Sequence, residues 1–184
     1  MPLPLTLHPG SRCEAVTQIR VEAVRQNPSG LMLKYLVTGS IGDLRLPPVT
    51  TPACADELWW HTCFEAFVRA PTGPAYYELN FAPSTQWAAY WFSGYRSGMT
   101  VASEMSAPRL EVQSDGDVYE LKALLELDSL TRLPADTPWR LGLSAVIEEV
   151  SGRISYWALA HPPGKPDFHH SDGFALELSP ANSK

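Results

Sequence analysis

The chain has 184 residues, of which 45% are hydrophobic and 18% charged, with a formal net charge of -6. That composition belongs to a folded globular protein and excludes a disordered one. An acidic balance argues against nucleic acid as the partner, and no apolar run approaches the roughly 20 residues that a membrane-spanning helix needs. The first eleven residues read as an extended arm. Thr17, Ile19, Val21 and Ala23 then alternate with polar neighbours, the period-2 mark of a half-buried strand. Asn27-Pro28-Ser29-Gly30 reads as a turn leading into a second strand over Leu31 to Thr38. Residues 39–57 carry three prolines, which remove backbone donors and make a loop of that stretch.

Leu58 to Arg96 holds four of the six tryptophans, with His61, Glu65, Glu78, Asn80 and Arg96 interleaved among the aromatics. Three strands are expected here. The first, Leu58 to Val68, has apolar residues on both parities, the pattern of a strand covered on both faces. In the second, Tyr77, Leu79 and Phe81 form an apolar parity opposite Tyr76, Glu78 and Asn80. The third sets Trp87, Ala89 and Trp91 against Ala88, Tyr90 and Phe92.

Gly94 to Ala107 reads as irregular. Arg109 to Gln113 and Val118 to Leu127 form a hairpin through Ser114-Asp115-Gly116, since Asp-Gly accepts left-handed turn geometry. One helical turn at Asp128-Ser129-Leu130 is stopped by the prolines that follow. Two further strands run from Trp139 to Ile147 and from Ile154 to Ala160. A long loop then covers His161 to Gly173, and a short last strand, Phe174 to Leu178, precedes a disordered tail. Nine or ten strands and no amphipathic helix describe an all-β, antiparallel two-sheet β-sandwich, one domain over residues 1–184 with a core of about 14–179.

The aromatic and polar residues together describe a binding surface. Sugar rings stack their C–H faces on Trp and Tyr, while their hydroxyls need carboxylate, amide or guanidinium partners. The expected ligand contacts are Trp59, His61, Glu65, Glu78, Asn80, Trp87, Trp91, Arg96 and Trp157. Trp60 and Tyr90 also belong to the aromatic platform. Glu65 lies in a strand that reads as buried, so its carboxylate needs a partner. Drawn as a catalytic pair, Glu65 and Glu78 would make a glycosidase, but no nucleophile elbow, activated Ser or Cys, or phosphate loop supports an enzyme.

No catalytic residue and no metal ligand is assigned. His161, His169, His170, Asp167 and Asp172 crowd one loop, where adjacent histidines diverge and act more readily as loop caps than as ligands of one ion. Cofactors are expected to be absent. A haem held by Met32, Met99 or a histidine, and calcium at Asp115-Gly116-Asp117, are the alternatives. Cys13, Cys54 and Cys63 are an odd number without CxxC spacing, so neither disulfides nor a zinc site is expected, and Cys63 reads as a small buried hydrophobe. A basic n-region is not visible, which makes the cytoplasm the expected compartment.

The run LWWHTCFEAFV, then YYELNFAPSTQWAAYWFSGYRSGM, and near the end SYWALAHPPGKPDFHH, resembles the DOMON-like group related to family 9 carbohydrate-binding modules. The resemblance extends over Thr17 to Leu178. It implies an immunoglobulin-like β-sandwich that binds a ligand without transforming it. The wider group includes binders of sugars, which hold a saccharide between aromatic rings, and binders of haem. A saccharide or sugar-containing metabolite is therefore the expected partner. A haem- or redox-cofactor-binding domain and a protein-docking module with an aromatic patch are the other readings.

Overall fold

In the computed structural model, residues 1–26 and 29–181 are described. The Asn27-Pro28 half of the first expected turn and the last residues of the tail, 182–184, lie outside them. Twelve strands form one antiparallel sheet. In chain order they are β1 (Leu3–Leu7), β2 (Val16–Gln26), β3 (Gly30–Gly39), β4 (Cys63–Arg69), β5 (Tyr76–Phe81) and β6 (Trp87–Phe92). Then come β7 (Thr100–Val101), β8 (Arg109–Asp115), β9 (Val118–Glu126), β10 (Trp139–Glu148), β11 (Ile154–Ala158) and β12 (Leu176–Leu178). Helical structure among the described residues is three short 3-10 turns at Ile41–Asp43, Leu58–Trp60 and Ser171–Gly173, and none is long or apolar enough to cross a membrane.

Strand order is β7-β6-β5-β4-β10-β11-β1-β2-β3-β9-β8, with β12 beside β10. Two of the sequence-based expectations are corrected here. The count is twelve rather than nine or ten, and the expected pair of sheets is one continuous ladder. The N-terminal arm closes it. Leu3 to Leu5 of β1 pair with Ile19 to Val21 of β2, while Thr6 and Leu7 pair with Ala158 and Trp157 of β11. The segment read as an extended arm is thus a paired strand, in which Leu3, Leu5 and Leu7 supply the alternation.

The sheet is curled. Tyr35 on β3 and Phe64 on β4 stand five strand steps apart in the ladder, about 24 Å on a flat sheet at about 4.8 Å per strand. Their ring centroids are nevertheless 5.1 Å apart, and Phe64 stacks on Tyr119 of β9 at 6.0 Å. The sheet therefore folds over into a half-barrel, with its core between the two halves. Ile19, Val21, Leu31, Leu33, Tyr35, Leu121 and Ala123 face Phe64, Ala66, Leu79, Phe81, Leu141, Leu143 and Ala145 across it.

At the start of β2 the expected parity slips by one residue. A bulge between Val16 and Gln18 buries Val16 and exposes Thr17. Opposite it, a Cβ on Gly39 would lie 2.1 Å from the Ala15 carbonyl oxygen, so only glycine admits the close approach of the two backbones.

Candidate functional site

β4, β5, β6, β10 and β11 have a second face, turned away from the core. On it Phe67, Tyr76, Ala88, Tyr90 and Phe92 form a separate apolar cluster with Phe174, against which Leu58, Trp59 and Phe168 pack. The polar members of this face are aligned by register. Glu65 sits opposite Asn80 on one side and Ser144 on the other, and Glu78 sits opposite Phe67 and Tyr90. Glu65 and Glu78 are thus diagonal neighbours on adjacent strands, roughly 7–8 Å apart at the backbone.

A cavity of about 420 Å³ opens above them. Glu65 and Glu78 line its floor with Val146 of β10 and Tyr156 of β11. Trp59, Trp60 and Phe92, then Arg96 and Met99 of the turn after β6, and Pro166, Phe168 and His169 of the loop after β11 complete its lining. The segment expected to begin a strand at Leu58 is instead a 3-10 turn entered through Glu57 at φ 59, and the strand starts at Cys63. That turn lifts Trp59 and Trp60 out of the sheet and onto the cavity wall. Trp59 meets Tyr90 edge-on at 5.7 Å, while Trp60 is 61% exposed.

The loop after β11 also lines the cavity and is fixed by polar contacts. The Asp167 carboxylate accepts from the Arg96 guanidinium at 2.9 Å and from the His169 backbone N–H at 3.1 Å, and the Tyr95 hydroxyl also donates to it. Burial alone would raise the Asp167 carboxyl, but the bonds from Tyr95 and Arg96 hold it below its usual range. His169 is sandwiched edge-on against Phe67 and Phe92, and its Nδ1 lies 2.8 Å from the Tyr76 hydroxyl. That hydroxyl also accepts from the Arg96 backbone N–H, and His169 Nε2 lies 3.7 Å from Glu78 Oε2. Burial, reinforced by the Arg96 charge, pulls His169 down to about 4, so the ring is neutral near pH 7.

The two glutamates differ in support. Asn80 donates its side-chain N–H to Glu78 Oε1 at 2.9 Å, and burial raises the Glu78 carboxyl to about 6 against the lowering effects of Asn80 and Arg96. Glu65 is only 3% exposed and has no hydrogen-bond or ion-pair partner for its carboxyl among the described residues. Burial first, and the Glu78 charge second, push it well above the ordinary range.

Of the nine expected contacts, Trp59, Glu65, Glu78 and Arg96 line the cavity, and Asn80 supports Glu78 from behind it. His61 lies elsewhere, with its Nδ1 2.7 Å from Glu148 Oε2 and Arg45 on the other carboxylate oxygen. Trp87, Trp91 and Trp157 point the opposite way, into the core side of the sheet. Trp157 donates to Ser155 Oγ at 3.0 Å, and the Arg132 guanidinium lies 4.4 Å from the Trp91 ring centroid. Phe92, Met99, Val146, Tyr156, Pro166, Phe168 and His169 were not among the expected contacts. Tyr156 and Phe92 each occupy the parity opposite a core-facing tryptophan, Trp157 and Trp91. Among the described residues no three His, Cys, Asp or Glu side chains converge as a metal site. His161 bonds the Thr6 carbonyl and His170 caps Asp172, while Gly116, at φ 55, turns the β8–β9 hairpin.

The chain shares its fold with a family 9 carbohydrate-binding module. That structure, from Caldicellulosiruptor kristjanssonii and in complex with glucose, is matched with a TM-score of 0.54 and 10% identity over 95% of this chain and 81% of the other. A candidate carbohydrate-binding protein from Bacteroides uniformis is matched with a TM-score of 0.66 and 13% identity over 94% of this chain and 82% of that one. At such identities the likeness concerns the fold alone. No family model matches the chain, and no curated protein matches it.

Proposed function

We propose that the chain is a non-catalytic carbohydrate-binding module whose cavity holds a sugar against the aromatic walls and over the two glutamates. The observation that carries this reading is the combination found lining one space of about 420 Å³: the rings of Trp59, Trp60, Tyr156 and Phe168 together with the carboxyls of Glu65 and Glu78. Its volume lies within the range of about 300–1,000 Å³ usual for small-molecule sites. A sugar needs both surfaces, one for its C–H face and one to accept from its hydroxyls. The fold shared with proteins named for carbohydrate binding supports the same reading, as does the DOMON-like character of the sequence.

The test is tryptophan fluorescence and thermal unfolding of the whole chain against glucose, galactose and their disaccharides. A sugar that occupies the cavity touches Trp59 and Trp60, shifts the emission, and raises the melting temperature because it binds only the folded state. A panel that moves neither signal at tens of millimolar sugar would remove the carbohydrate reading.

A further inference from the structure

Resting on the carbohydrate reading of the cavity, we propose that its preferred ligand is a cationic amino sugar, with the ammonium group seated between Glu65 and Glu78. The reason is an unpartnered carboxyl built into the floor beside a second one; burial and the Glu78 charge keep it protonated until a cation arrives to pair with it. Glu65 lines the cavity, is 3% exposed, and finds no partner for its carboxyl among the described residues. A buried carboxylate is costly to leave unpaired, and a site that keeps one open to a cavity is complementary to a cation.

Every neighbouring element adds to this. Across from Glu65, β10 presents Ser144, whose buried hydroxyl oxygen itself lacks a partner. From β5 come Asn80, whose N–H is committed to Glu78, and Tyr76, whose hydroxyl is committed to His169. β6 presents Tyr90, whose hydroxyl is taken by Asp56. The loop after β11 presents neutral His169 and Asp167, and the turn after β6 presents Arg96, whose guanidinium is bound to Asp167. So Arg96, whose charge lowers the Glu78 carboxyl, is itself bound to Asp167, and Glu65 is left with no cation of its own among the described residues. A sugar hydroxyl offers the two carboxyls a single donor, whereas an ammonium offers three and a full charge. The net charge of -6 draws a cation in.

The experiment is calorimetric titration of the whole chain at pH 6.5 with two matched pairs, glucose against glucosamine and galactose against galactosamine, with N-acetylglucosamine as a neutral amide control. One amino sugar is expected to bind at least about tenfold tighter than its neutral partner and than the amide. Glu65→Gln is expected to bring the amino-sugar to neutral-sugar affinity ratio of each pair to about one, whatever it does to the affinity for the neutral sugar itself. The substitution keeps the side-chain volume and replaces a carboxyl that burial already keeps protonated, so the variant keeps its fold, and the wild-type comparison decides the matter in any case. Neutral sugars that bind as tightly as amino sugars would overturn the proposal and leave the carbohydrate reading standing. Failure of all five sugars would overturn both.

Discussion

The Tyr35 hydroxyl on β3 donates a 2.7 Å hydrogen bond to the backbone carbonyl of Glu65 on β4, across the core of the curled sheet. Tyr35 is fully buried, so the bond is made in an apolar medium with no water to replace it. It fixes, from behind, the backbone that aims the Glu65 carboxyl into the cavity. Tyr35→Phe keeps the ring contact with Phe64 and removes only that bond. We expect a loss of about 1–2 kcal/mol, seen as a fall in melting temperature of roughly 2–8 °C for a chain of this size. An unchanged melting temperature would show that the two halves are held together by packing alone.

How much of this was legible in the sequence depended on whether a strand's two parities differ. In β5 they do, with Tyr77, Leu79 and Phe81 against Tyr76, Glu78 and Asn80, and the structure places them on the core and cavity faces respectively. In β6 both parities are aromatic, so composition alone could not say that Trp87 and Trp91 look inward while Tyr90 and Phe92 look outward. Pairing decides it, because Trp87 lies opposite Phe81 and Trp91 opposite Tyr77. Curling and closure by β1 are long-range events with no local mark. The wall made by Phe168 and His169 comes from a loop without periodicity, positioned by Asp167, Arg96 and Tyr76 rather than by any strand rule.

Trp59 and Trp157 should separate binding from stability. Trp59 stands half-buried on the cavity wall, and Trp157 is packed in the core. Trp59→Ala is expected to weaken sugar binding by about tenfold or more, the scale of one aromatic contact, with a small change in melting temperature. Trp157→Ala should cost about 3–5 kcal/mol of stability through the cavity it leaves. Titration and thermal unfolding of both variants check this, and a Trp59→Ala protein with full affinity would move the site elsewhere.

Glu149 anchors the segment that leads into β2. Its Oε1 accepts from the backbone N–H groups of Glu14 at 2.8 Å and Ala15 at 2.7 Å, and Arg153 reaches Oε2 at 3.2 Å. Burial would raise this carboxyl, but the Ala15 and Glu14 bonds outweigh it and the net shift is downward. Glu149→Ala leaves two N–H groups beside the bulge unpaired. A loss of about 2–3 kcal/mol is expected, measured by chemical denaturation, with Glu149→Gln losing less because one oxygen still accepts. Equal stability of all three proteins would show that water takes over the role.

Gly39 is the other half of that junction. An alanine there would bring its Cβ to 2.1 Å from the Ala15 carbonyl oxygen, and backbone on both sides leaves no flexible side chain to yield. Gly39→Ala should therefore cost about 3 kcal/mol or more, as substitutions that force strained backbone do. Tolerance of alanine at this position, read from the same denaturation curves, would mean that the bulge can relax.

The pH dependence of stability should reveal Glu78 and His169 acting against each other. Burial lifts Glu78 from an ordinary 4.5 to about 6, so its contribution is fully present below about 4.5 and is lost as pH rises through about 6. His169 is lowered from 6.5 to about 4, so its contribution is present above about 6.5 and is lost as pH falls through about 4. At about 1.4 kcal/mol per unit the Glu78 and His169 effects are about 2 and about 3 kcal/mol in opposite directions. Glu65 starts from the same ordinary value as Glu78 and is raised well above it, so its contribution also falls as pH rises from about 4.5 upward. With two carboxyls against one histidine, the wild-type melting temperature should fall as pH rises above about 4.5. In Glu78→Gln only Glu65 and His169 oppose each other, so the fall should be shallower and the variant should exceed the wild type by about 2 kcal/mol at pH 8. A variant no more stable than the wild type at pH 8, in a thermal series from pH 4 to 8, would show that Glu78 ionises in the folded protein as readily as in the unfolded chain.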